Sequence, residues 1–399
     1  MKQFYFTLSF LFIVSISSAQ SWEWAIHENI KIFAVDSAGN IFVHNDTTIK
    51  RFNSHGILQW QKKFSGDLVI ESLVANNSGD LYIAGVFTKI LIDSCHLISL
   101  GNRDIFFCKM DSSGNLMWKK TFGGPDDDNV TDLYLNKQQK ILICGDAGIG
   151  ACIEGEDFSR KELFLSRYNC NGTQELLIRH AGGNAWEIAA DTNGNIYLLG
   201  GIKINDILDF GNGVILYENS IGAQHGSHFI AKFNAAGNIF WAKDFGNNYY
   251  QPFKHLGISS NGNFYLTKWG RYAGFSLSKF DDAGNLISKN EVDGIYGDCN
   301  SLSIDNNDCI WLAGDIWNGG FNGQPFIWEF NPSNNLIKST SAIVSASGTN
   351  IGNDYNNNIY ISGSFNDTAV FGSTTLLASA GNNFLAKINR KSSVMIPKK

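Results

Sequence analysis

Hydrophobic and polar residues alternate along most of the chain in short runs, which are separated by turns rich in Asp, Asn, Ser and Gly. Apolar residues at every second position predict a β-strand with one buried face. Two such strands around an Asp- or Asn-initiated turn predict a β-hairpin. The pattern therefore predicts a long series of hairpins.

Two hairpin motifs alternate along the sequence. The first is a strand, a turn opened by Asp or Asn, and a second strand that often ends in Gly. Its copies cover 32–45, 73–85, 133–145, 188–200, 257–270, 302–314 and 352–363. The second motif reads approximately FxxKxDxxGNxxW. Its copies cover 49–60, 106–118, 163–177, 229–241, 275–287, 326–337 and 384–396.

The period of the second motif indicates the architecture. Its turn recurs at 56, 114, 172, 237, 284, 334 and 392, with a mean spacing of about 56 residues, which suits a four-stranded propeller blade. We therefore predict an all-β, seven-bladed β-propeller with four antiparallel strands per blade. The predicted blades cover 29–66, 70–124, 130–183, 186–247, 255–294, 300–344 and 350–399, with 22–27 added to the last.

The N-terminal strand is predicted to close this ring. Trp22–His27 resembles the strand that ends the second motif, but it precedes the first blade. A propeller has no open edge if such a strand completes its last blade. We expect Trp22–His27 to pair in the blade that spans 350–392. Trp24, Trp60, Trp118 and Trp241 share this strand position and are expected to fill space between blades.

The turns carry a recognisable chemistry. Asp36 and its equivalents can accept backbone N–H bonds, and Gly39 and Gly114 stand where a left-handed residue is needed. A calcium loop needs more oxygen ligands on a longer frame. We interpret the Asp-x-x-Gly-Asn strings as turns.

The first residues predict export. Lys2 precedes an apolar run, Phe4–Ile16, and Ser17-Ser18-Ala19 supplies the small residues of a cleavage site. We predict a signal peptide over 1–19. The run is too short to span a bilayer, and no later stretch reaches about 18 apolar residues. The mature protein is expected to lack a transmembrane segment and to be secreted, at the cell surface or in the periplasm.

Composition limits the classes of ligand that the chain is expected to bind. The 399-residue chain is 44% hydrophobic and 17% charged, with 41 Gly, 5 Pro and a net charge of −6. Nucleic acid is excluded as an expected partner because it requires a basic surface. We expect a monomer that uses no cofactor and has an unknown glycan or protein ligand.

Seven cysteines follow the signal peptide. An odd number leaves at least one unpaired, and their spacing matches no zinc pattern. Cys108 and Cys144 lie in strand-like runs, where free Cys acts as a small core residue. Cys144–Cys152 and Cys95–Cys108 remain conceivable disulfides.

Long connections between hairpins mark one face as the candidate functional surface. Alternating hairpins place these connections on one side and the tight turns on the other, and function usually lies on variable loops. Residues before the first motif would line its centre: Ile70, Asn129, Trp186, His255, Asn300 and Asn350. The candidate binding residues are Asp126, Asp127, Asp128, Asn129, Trp186, Tyr249, Tyr250, His255, Trp269, Trp317 and Phe321.

Exposed aromatic residues on these loops would stack on sugars or anchor a protein, although they could equally cap the core. Asp126–Asp128 is interpreted first as an inter-blade turn whose acidic side chain caps backbone N–H groups. No G-x-S-x-G, H-E-x-x-H or P-loop motif occurs. His225 and His228 would give a metal only two ligands. No catalytic residue and no metal site is predicted.

The string Phe122-Gly-Gly-Pro-Asp-Asp-Asp-Asn, the first motif that follows it, and Gly-Asn-Leu-Met-Trp resemble the bacterial seven-bladed β-propeller repeat family, often called SBBP. The loop elements Asp209-Phe210-Gly211 and Val370-Phe371-Gly372 also fit. The resemblance covers nearly the whole exported chain. It implies a propeller, and the family has no common catalytic residues to carry over.

We therefore expect a secreted, non-catalytic binding or surface-interaction module with its ligand on the loop side. One alternative is a carbohydrate-active hydrolase or lyase that uses acidic residues at the channel mouth. A second alternative is a structural domain of a cell-envelope assembly.

Overall fold

The computed structural model describes residues 21–92, 95–218, 226–246, 253–268, 275–292, 296–317, 324–340, 346–365, 367–378 and 382–389. Within these ranges the chain is all-β and contains no helix. The predicted signal peptide, 1–19, lies outside them, as do Tyr249, Tyr250, Trp269 and Phe321.

The strands form four-stranded antiparallel groups, which we number as sheets 1 to 7. After β1 (Ser21–His27), an eight-stranded sheet comprises β2 (Ile32–Val35), β3 (Ile41–His44), β4 (Thr48–Phe52), β5 (Leu58–Ala75), β6 (Leu81–Ile92), β7 (Cys95–Ile98), β8 (Asp104–Met110) and β9 (Leu116–Phe122). The 18-residue β5 pairs with β4 through its first part and with β6 through its second. It therefore ends sheet 1 (β2-β3-β4-β5) and begins sheet 2 (β5-β6-β8-β9).

The next two sheets carry small extra hairpins on their central connections. Sheet 3 and its extra hairpin comprise β10 (Asn129–Leu135), β11 (Ile141–Ala147), β12 (Cys152–Ile153), β13 (Glu156–Asp157), β14 (Glu162–Tyr168) and β15 (Gln174–Ala181). Sheet 4 and its extra hairpin comprise β16 (Gly183–Ala190), β17 (Ile196–Ile202), β18 (Ile207–Asp209), β19 (Ile215–Tyr217), β20 (His228–Phe233) and β21 (Ile239–Asp244).

Three sheets complete the described chain. Sheet 5 comprises β22 (Phe253–Ile258), β23 (Phe264–Lys268), β24 (Phe275–Phe280) and β25 (Leu286–Val292). Sheet 6 comprises β26 (Tyr296–Ile304), β27 (Ile310–Trp317), β28 (Gln324–Phe330) and β29 (Leu336–Thr340). Sheet 7 comprises β30 (Ala346–Asn353), β31 (Ile359–Phe365) and β34 (Asn383–Asn389), with the hairpin β32 (Thr368–Phe371) and β33 (Thr374–Leu377) between the last two.

The N-terminal strand β1 is the outer strand of sheet 7. Its neighbour is β34, and the antiparallel register places Ala25 opposite Ala386 and His27 opposite Phe384. This pairing joins the beginning of the described chain to its end. It is the partnership expected for Trp22–His27 from the sequence.

The hairpin turns have the predicted chemistry. Asp36 Oδ1 accepts hydrogen bonds from the backbone N–H groups of Ala38 and Asn40 at 2.9 and 2.8 Å. Gly39 completes the turn with a φ of +80°, a conformation that glycine adopts without steric cost. Other first-motif turns replace that glycine, and Gln139, Asp308 and Asn357 then take positive φ themselves.

The core lies between successive sheets. One cluster joins Phe107 of sheet 2 to Phe164 and Tyr168 of sheet 3. Another joins Ile41 of sheet 1 to Tyr360 of sheet 7. Burying large apolar rings between the faces of neighbouring sheets is the main source of stability in such a stack.

The first strands of successive sheets also contact one another. The contacting pairs are β2 with β5, β5 with β10, β10 with β16, β16 with β22, β22 with β26, β26 with β30, and β30 with β2. Tight turns lie at one end of these strands, and the longer connections lie at the other. We call these ends the turn face and the loop face.

The recurring position of tryptophan in the second motif has a packing reason. Trp60 lies against Gly114 and donates an Nε1–H bond to the carbonyl of Ser112 at 2.9 Å. Trp118 lies against Gly172 in the same way and donates to the carbonyl of Cys170. Each ring therefore fills space against the turn of the next sheet, as the sequence predicted.

The seven cysteines are free, so neither conceivable disulfide is present. Cys108, Cys144, Cys299 and Cys309 are buried among apolar side chains. Within the described residues, no helix is long and apolar enough to cross a membrane.

Candidate functional site

The first strands of sheets 2 to 7 share a bulge near the loop face. The pairing register shifts between Ile70 and Ser72 in β5, and equivalent shifts follow in the later first strands. The others lie at 130/132, 185/187, 253/255, 299/301 and 348/350. A bulge leaves a residue outside the regular ladder, so polar groups here need partners from elsewhere.

Side chains from the preceding sheet satisfy these groups. Ser72 Oγ accepts a 3.1 Å hydrogen bond from the N–H of Leu133. Asp132 Oδ2 accepts a 3.1 Å bond from the N–H of Ile188. We call Ser72, Asp132, Glu187 and His255 the inner brace, because each occupies the same register and reaches the next sheet.

Asp132 is the most perturbed acid of the inner brace. Its Oδ1 lies 3.2 Å from Ser72 Oγ and accepts a 2.8 Å bond from the N–H of Leu133. Burial, and to a lesser extent the charge of Glu187, raises the pKa of Asp132 to about 8. The carboxyl is therefore largely neutral at pH 7, since burial disfavours the charged form.

Within the inner brace, Glu187 of sheet 4 contacts His255 of sheet 5. His255 Nδ1 lies 2.8 Å from Glu187 Oε1, and the second oxygen of Glu187 accepts a 2.7 Å bond from the N–H of Leu256. His255 Nε2 lies 3.2 Å from the carbonyl oxygen of Cys299. Both carboxylate oxygens of Glu187 are thus engaged with sheet 5, and the two ring nitrogens of His255 are engaged with sheets 4 and 6.

An ion pair lies beside the inner brace. Lys254 Nζ lies 2.8 Å from both carboxylate oxygens of Asp298 and 3.4 Å from Asn300 Oδ1. The Lys254 and Asp298 side chains are 36% and 23% exposed, so they reach the surface. Asn300 Nδ2 also donates to Asp315 Oδ2 at 2.9 Å.

Charges of both signs also lie on sheets 1 and 2 and in the connection to sheet 3. Lys31 and Glu71 are exposed, and burial still raises the pKa of Glu71, while the charge of Arg103 and then that of Lys31 oppose this. Arg103 Nε lies 3.5 Å from Asp127 Oδ1, and both side chains are about half exposed. The loop face is therefore polar with mixed charge.

The three consecutive aspartates separate into different roles. Asp128 is buried and accepts bonds from the N–H groups of Gly124 and Gly148 at 3.0 and 2.7 Å. Asp126 accepts a 3.3 Å bond from the N–H of Ile149, and Asp127 faces Arg103. Burial raises the pKa of Asp128 to about 6. Asp128 is thus the capping residue of the connection between sheets 2 and 3.

The remaining predicted residues are distributed along the loop ends of the strands. Trp186 is half-buried, stacks edge-on against His228 at 5.0 Å and covers Gly201, so it caps the core. Asn129 begins β10 opposite Asp146. Trp317 ends β27. Of the predicted set, only His255 belongs to the inner brace.

The sequence prediction missed Asp132, Glu187, Lys254 and Asp298. A recognisable signal exists, because Asp132 and Glu187 interrupt apolar strands at one register, three residues before the strand ends. Among the described residues, no three His, Cys, Asp or Glu side chains converge as a metal site requires.

Comparison with solved structures identifies the fold class. The chain is similar to one in a crystal structure of the mitotic checkpoint complex, with a TM-score of 0.54, 10% identity, and 98% of this chain and 99% of that chain covered. It is also similar to streptogramin B lyase, with a TM-score of 0.52, 11% identity, and coverage of 93% and 100%. Both are β-propeller proteins, so the chain has a propeller-like all-β fold.

A protein of unknown function from Dyadobacter fermentans is also similar, with a TM-score of 0.46, 10% identity, and coverage of 81% of this chain and 95% of that chain. No family model matches the chain, and no curated protein matches it.

Proposed function

We propose that this chain is an exported, non-catalytic, seven-bladed β-propeller of the SBBP type that binds a glycan or protein ligand on its loop face. The signal-like sequence at 1–19 supports export, with the cell surface, the periplasm or the medium as the destination.

Three observations support a closed ring of seven blades. The described residues supply seven four-stranded groups. Their first strands contact one another in chain order, and β30 contacts β2. The N-terminal strand completes sheet 7 and places Trp24 against Gly56 of sheet 1.

The hydrogen bonding of the inner brace is the main support for a non-catalytic role. A general base or nucleophile needs a lone pair directed at the reacting atom of a substrate. The oxygens of Asp132 and Glu187 and both nitrogens of His255 are instead directed at groups of the protein. These residues stabilise the scaffold that carries the loops.

The loop face supplies the binding surface. Lys254, Asp298, Arg103 and Asp127 are partly exposed and alternate in charge. Such a surface provides donors and acceptors at defined positions on a rigid frame, which favours specific recognition.

The test is to measure binding and activity with the same preparation. The mature chain is applied to a glycan array and to isolated cell-envelope fractions, with and without the substitution Lys254→Glu. We expect binding that Lys254→Glu weakens, and no turnover of glycans. The absence of any ligand whose binding Lys254→Glu weakens would contradict the proposed site.

Hydrolysis or elimination of a glycan is the alternative, and the raised pKa of Asp132 favours it, because a neutral carboxyl at pH 7 can act as a general acid. This alternative predicts turnover that Asp132→Asn or Glu187→Gln abolishes while the fold remains intact. Observed turnover of that kind would replace the binding proposal.

A further inference from the structure

A cavity of about 480 Å³ opens on the turn face, opposite the loop face. Residues of sheets 1, 2, 3, 6 and 7 line it, so it lies where the ends of the first strands converge. Its rim includes Ser37, Asn77, Lys137, Asn306, Asn353 and Tyr355. A volume of this size lies in the range of small-ligand sites.

Hydrogen bonds between neighbouring turns hold this rim in place. The N–H of Tyr355 donates to the carbonyl of Ser37 at 3.4 Å. Asn306 Nδ2 donates to the carbonyl of Tyr355 at 2.8 Å, and the N–H of Asn77 donates to Gln139 Oε1 at 3.3 Å. Since the backbone is fixed from sheet to sheet, a ligand would meet a pre-organised site.

The floor of the cavity is apolar. A second cavity of about 340 Å³ continues inward, and the two share Val35, Ala75 and Leu135. Phe33 and Leu73 line the inner cavity. The opening therefore combines a polar rim with an apolar base, which suits a molecule with both polar edges and apolar faces.

Tyr355 departs from the repeat. The second position of the first-motif turn is otherwise small or polar, occupied by Ser37, Asn77, Lys137, Thr192, Ser260 and Asn306. Tyr355 is 72% exposed, and no turn hydrogen bond requires its ring. An exposed aromatic ring on a rigid turn offers a flat stacking surface beside the amides of the rim.

Most polar side chains of the rim are uncharged, which favours a neutral ligand. Among the residues that line the cavity, Lys137 is the one cation, whereas Asp36 and Asp354 are buried beneath it and accept bonds within their own turns. The side chains of Asn77 and Lys137 have no bonding partner in the described part of the chain. The Asn306 amide oxygen remains as an acceptor, because only its nitrogen donates to Tyr355.

We propose that the turn-face cavity binds a neutral saccharide, which stacks on the ring of Tyr355 and exchanges hydrogen bonds with Asn77, Lys137 and Asn306. Amides both donate and accept, and so match the hydroxyl groups of a sugar. The apolar face of a pyranose would cover the tyrosine ring. This site is separate from the loop face and goes beyond the function proposed there.

The test uses the mature chain and four single variants. Neutral mono- and oligosaccharides are presented on a glycan array, and hits are measured as free sugars by saturation-transfer difference NMR. Tyr355→Ala and Asn77→Ala alter the cavity. Phe240→Ala removes a ring that is 55% exposed elsewhere, and Lys254→Glu alters the loop face. Circular dichroism melting establishes that each variant is folded.

We expect at least tenfold weaker saccharide binding in Tyr355→Ala and in Asn77→Ala, and unchanged binding in Phe240→Ala and Lys254→Glu. Binding lost only in Lys254→Glu would support the loop-face function and overturn the cavity proposal. Binding that is confined to anionic glycans, or the absence of any neutral saccharide ligand, would also overturn it.

Discussion

Trp24 Nε1 donates a 3.0 Å hydrogen bond to the backbone carbonyl of Ser54. Trp24 lies in β1, which is paired with the last strand of the described chain, and Ser54 lies in a turn of sheet 1. Trp60 and Ser112 make the same contact between sheets 1 and 2. The contact of β1, the outer strand of sheet 7, with sheet 1 therefore repeats the contact between sheets 1 and 2, which follow each other along the chain.

This equivalence predicts the effect of removing the indole. Trp24→Ala is expected to lower the free energy of unfolding by about 3 kcal/mol, because a large half-buried ring leaves a cavity. Trp24→Phe should cost less, on the order of 1 kcal/mol, since mainly the N–H bond is lost. Urea unfolding measures both values. Trp60→Ala is the matched control and should lose a similar amount, and a Trp24→Ala protein as stable as the wild type would contradict the shared role.

The aspartate triplet offers a comparison between adjacent residues. Asp128→Ala should lower the free energy of unfolding by about 2 kcal/mol, because the buried N–H groups of Gly124 and Gly148 lose their acceptor. Asp127→Ala should change it by less than about 0.5 kcal/mol, since the exposed pair with Arg103 contributes little. Differential scanning calorimetry measures both. Equal losses in the two variants would rule out the capping role.

Asp132 predicts a dependence of stability on pH. Its pKa in the folded state is about 8, above the ordinary value of 3.8, so between these values the folded state holds a proton that the unfolded chain releases. The stability due to this group therefore falls as the pH rises towards 8. The wild type should lose free energy of unfolding between pH 6.5 and 8.5. In Asp132→Asn this loss should be smaller by roughly 1 to 2 kcal/mol, because the titrating carboxyl is absent.

The control for this measurement is Asp127→Asn, which should retain the slope of the wild type. Asp128 and Asp146, whose pKa values burial raises to about 6, titrate mainly below this window. If Asp132→Asn has the same pH dependence of unfolding free energy as the wild type, Asp132 is not the group that holds this proton.

The contact between Glu187 and His255 predicts a measurable coupling. A double-mutant cycle with Glu187→Gln and His255→Gln should give a coupling energy of about 1 kcal/mol, because the pair is partly buried and shares bonds with sheets 5 and 6. The pair Lys31–Asp46 is 59% and 67% exposed and should give a value near zero. A coupling energy as small in the first cycle as in the second would contradict the bracing role.

Local features of this fold were accessible from the sequence. The turn that begins at Asp36 involves only five residues. Its hydrogen bonds and the positive φ of Gly39 follow from the residue types in that short stretch. The position of Trp24 was readable because the same residue recurs at one register in sheets 1, 2 and 4. Asp126–Asp128 was recognisable as part of a connecting turn because it lies between two hairpin motifs, but that position does not reveal which of the three is the capping residue.

Contacts between sheets were less accessible. Asp132 bonds to Ile188, 56 residues away, and the bulge that exposes the partner N–H depends on the pairing of two strands. Lys279, a lysine of the second motif, donates to the carbonyl of Pro332 in the next sheet at 2.6 Å, a contact that its position within the repeat does not reveal. The turn-face cavity requires five sheets to converge, which no single stretch of sequence specifies.

The central claim is that β1 closes a ring of seven blades. The most direct measurement is the thermal unfolding of the mature chain without residues 20–28, alone and with a synthetic peptide of those residues. We predict that the truncated chain melts at a sharply lower temperature and that the peptide restores part of the loss, since it can pair with Asn383–Asn389. A truncated chain that melts like the full mature chain, with no response to the peptide, would contradict the closure.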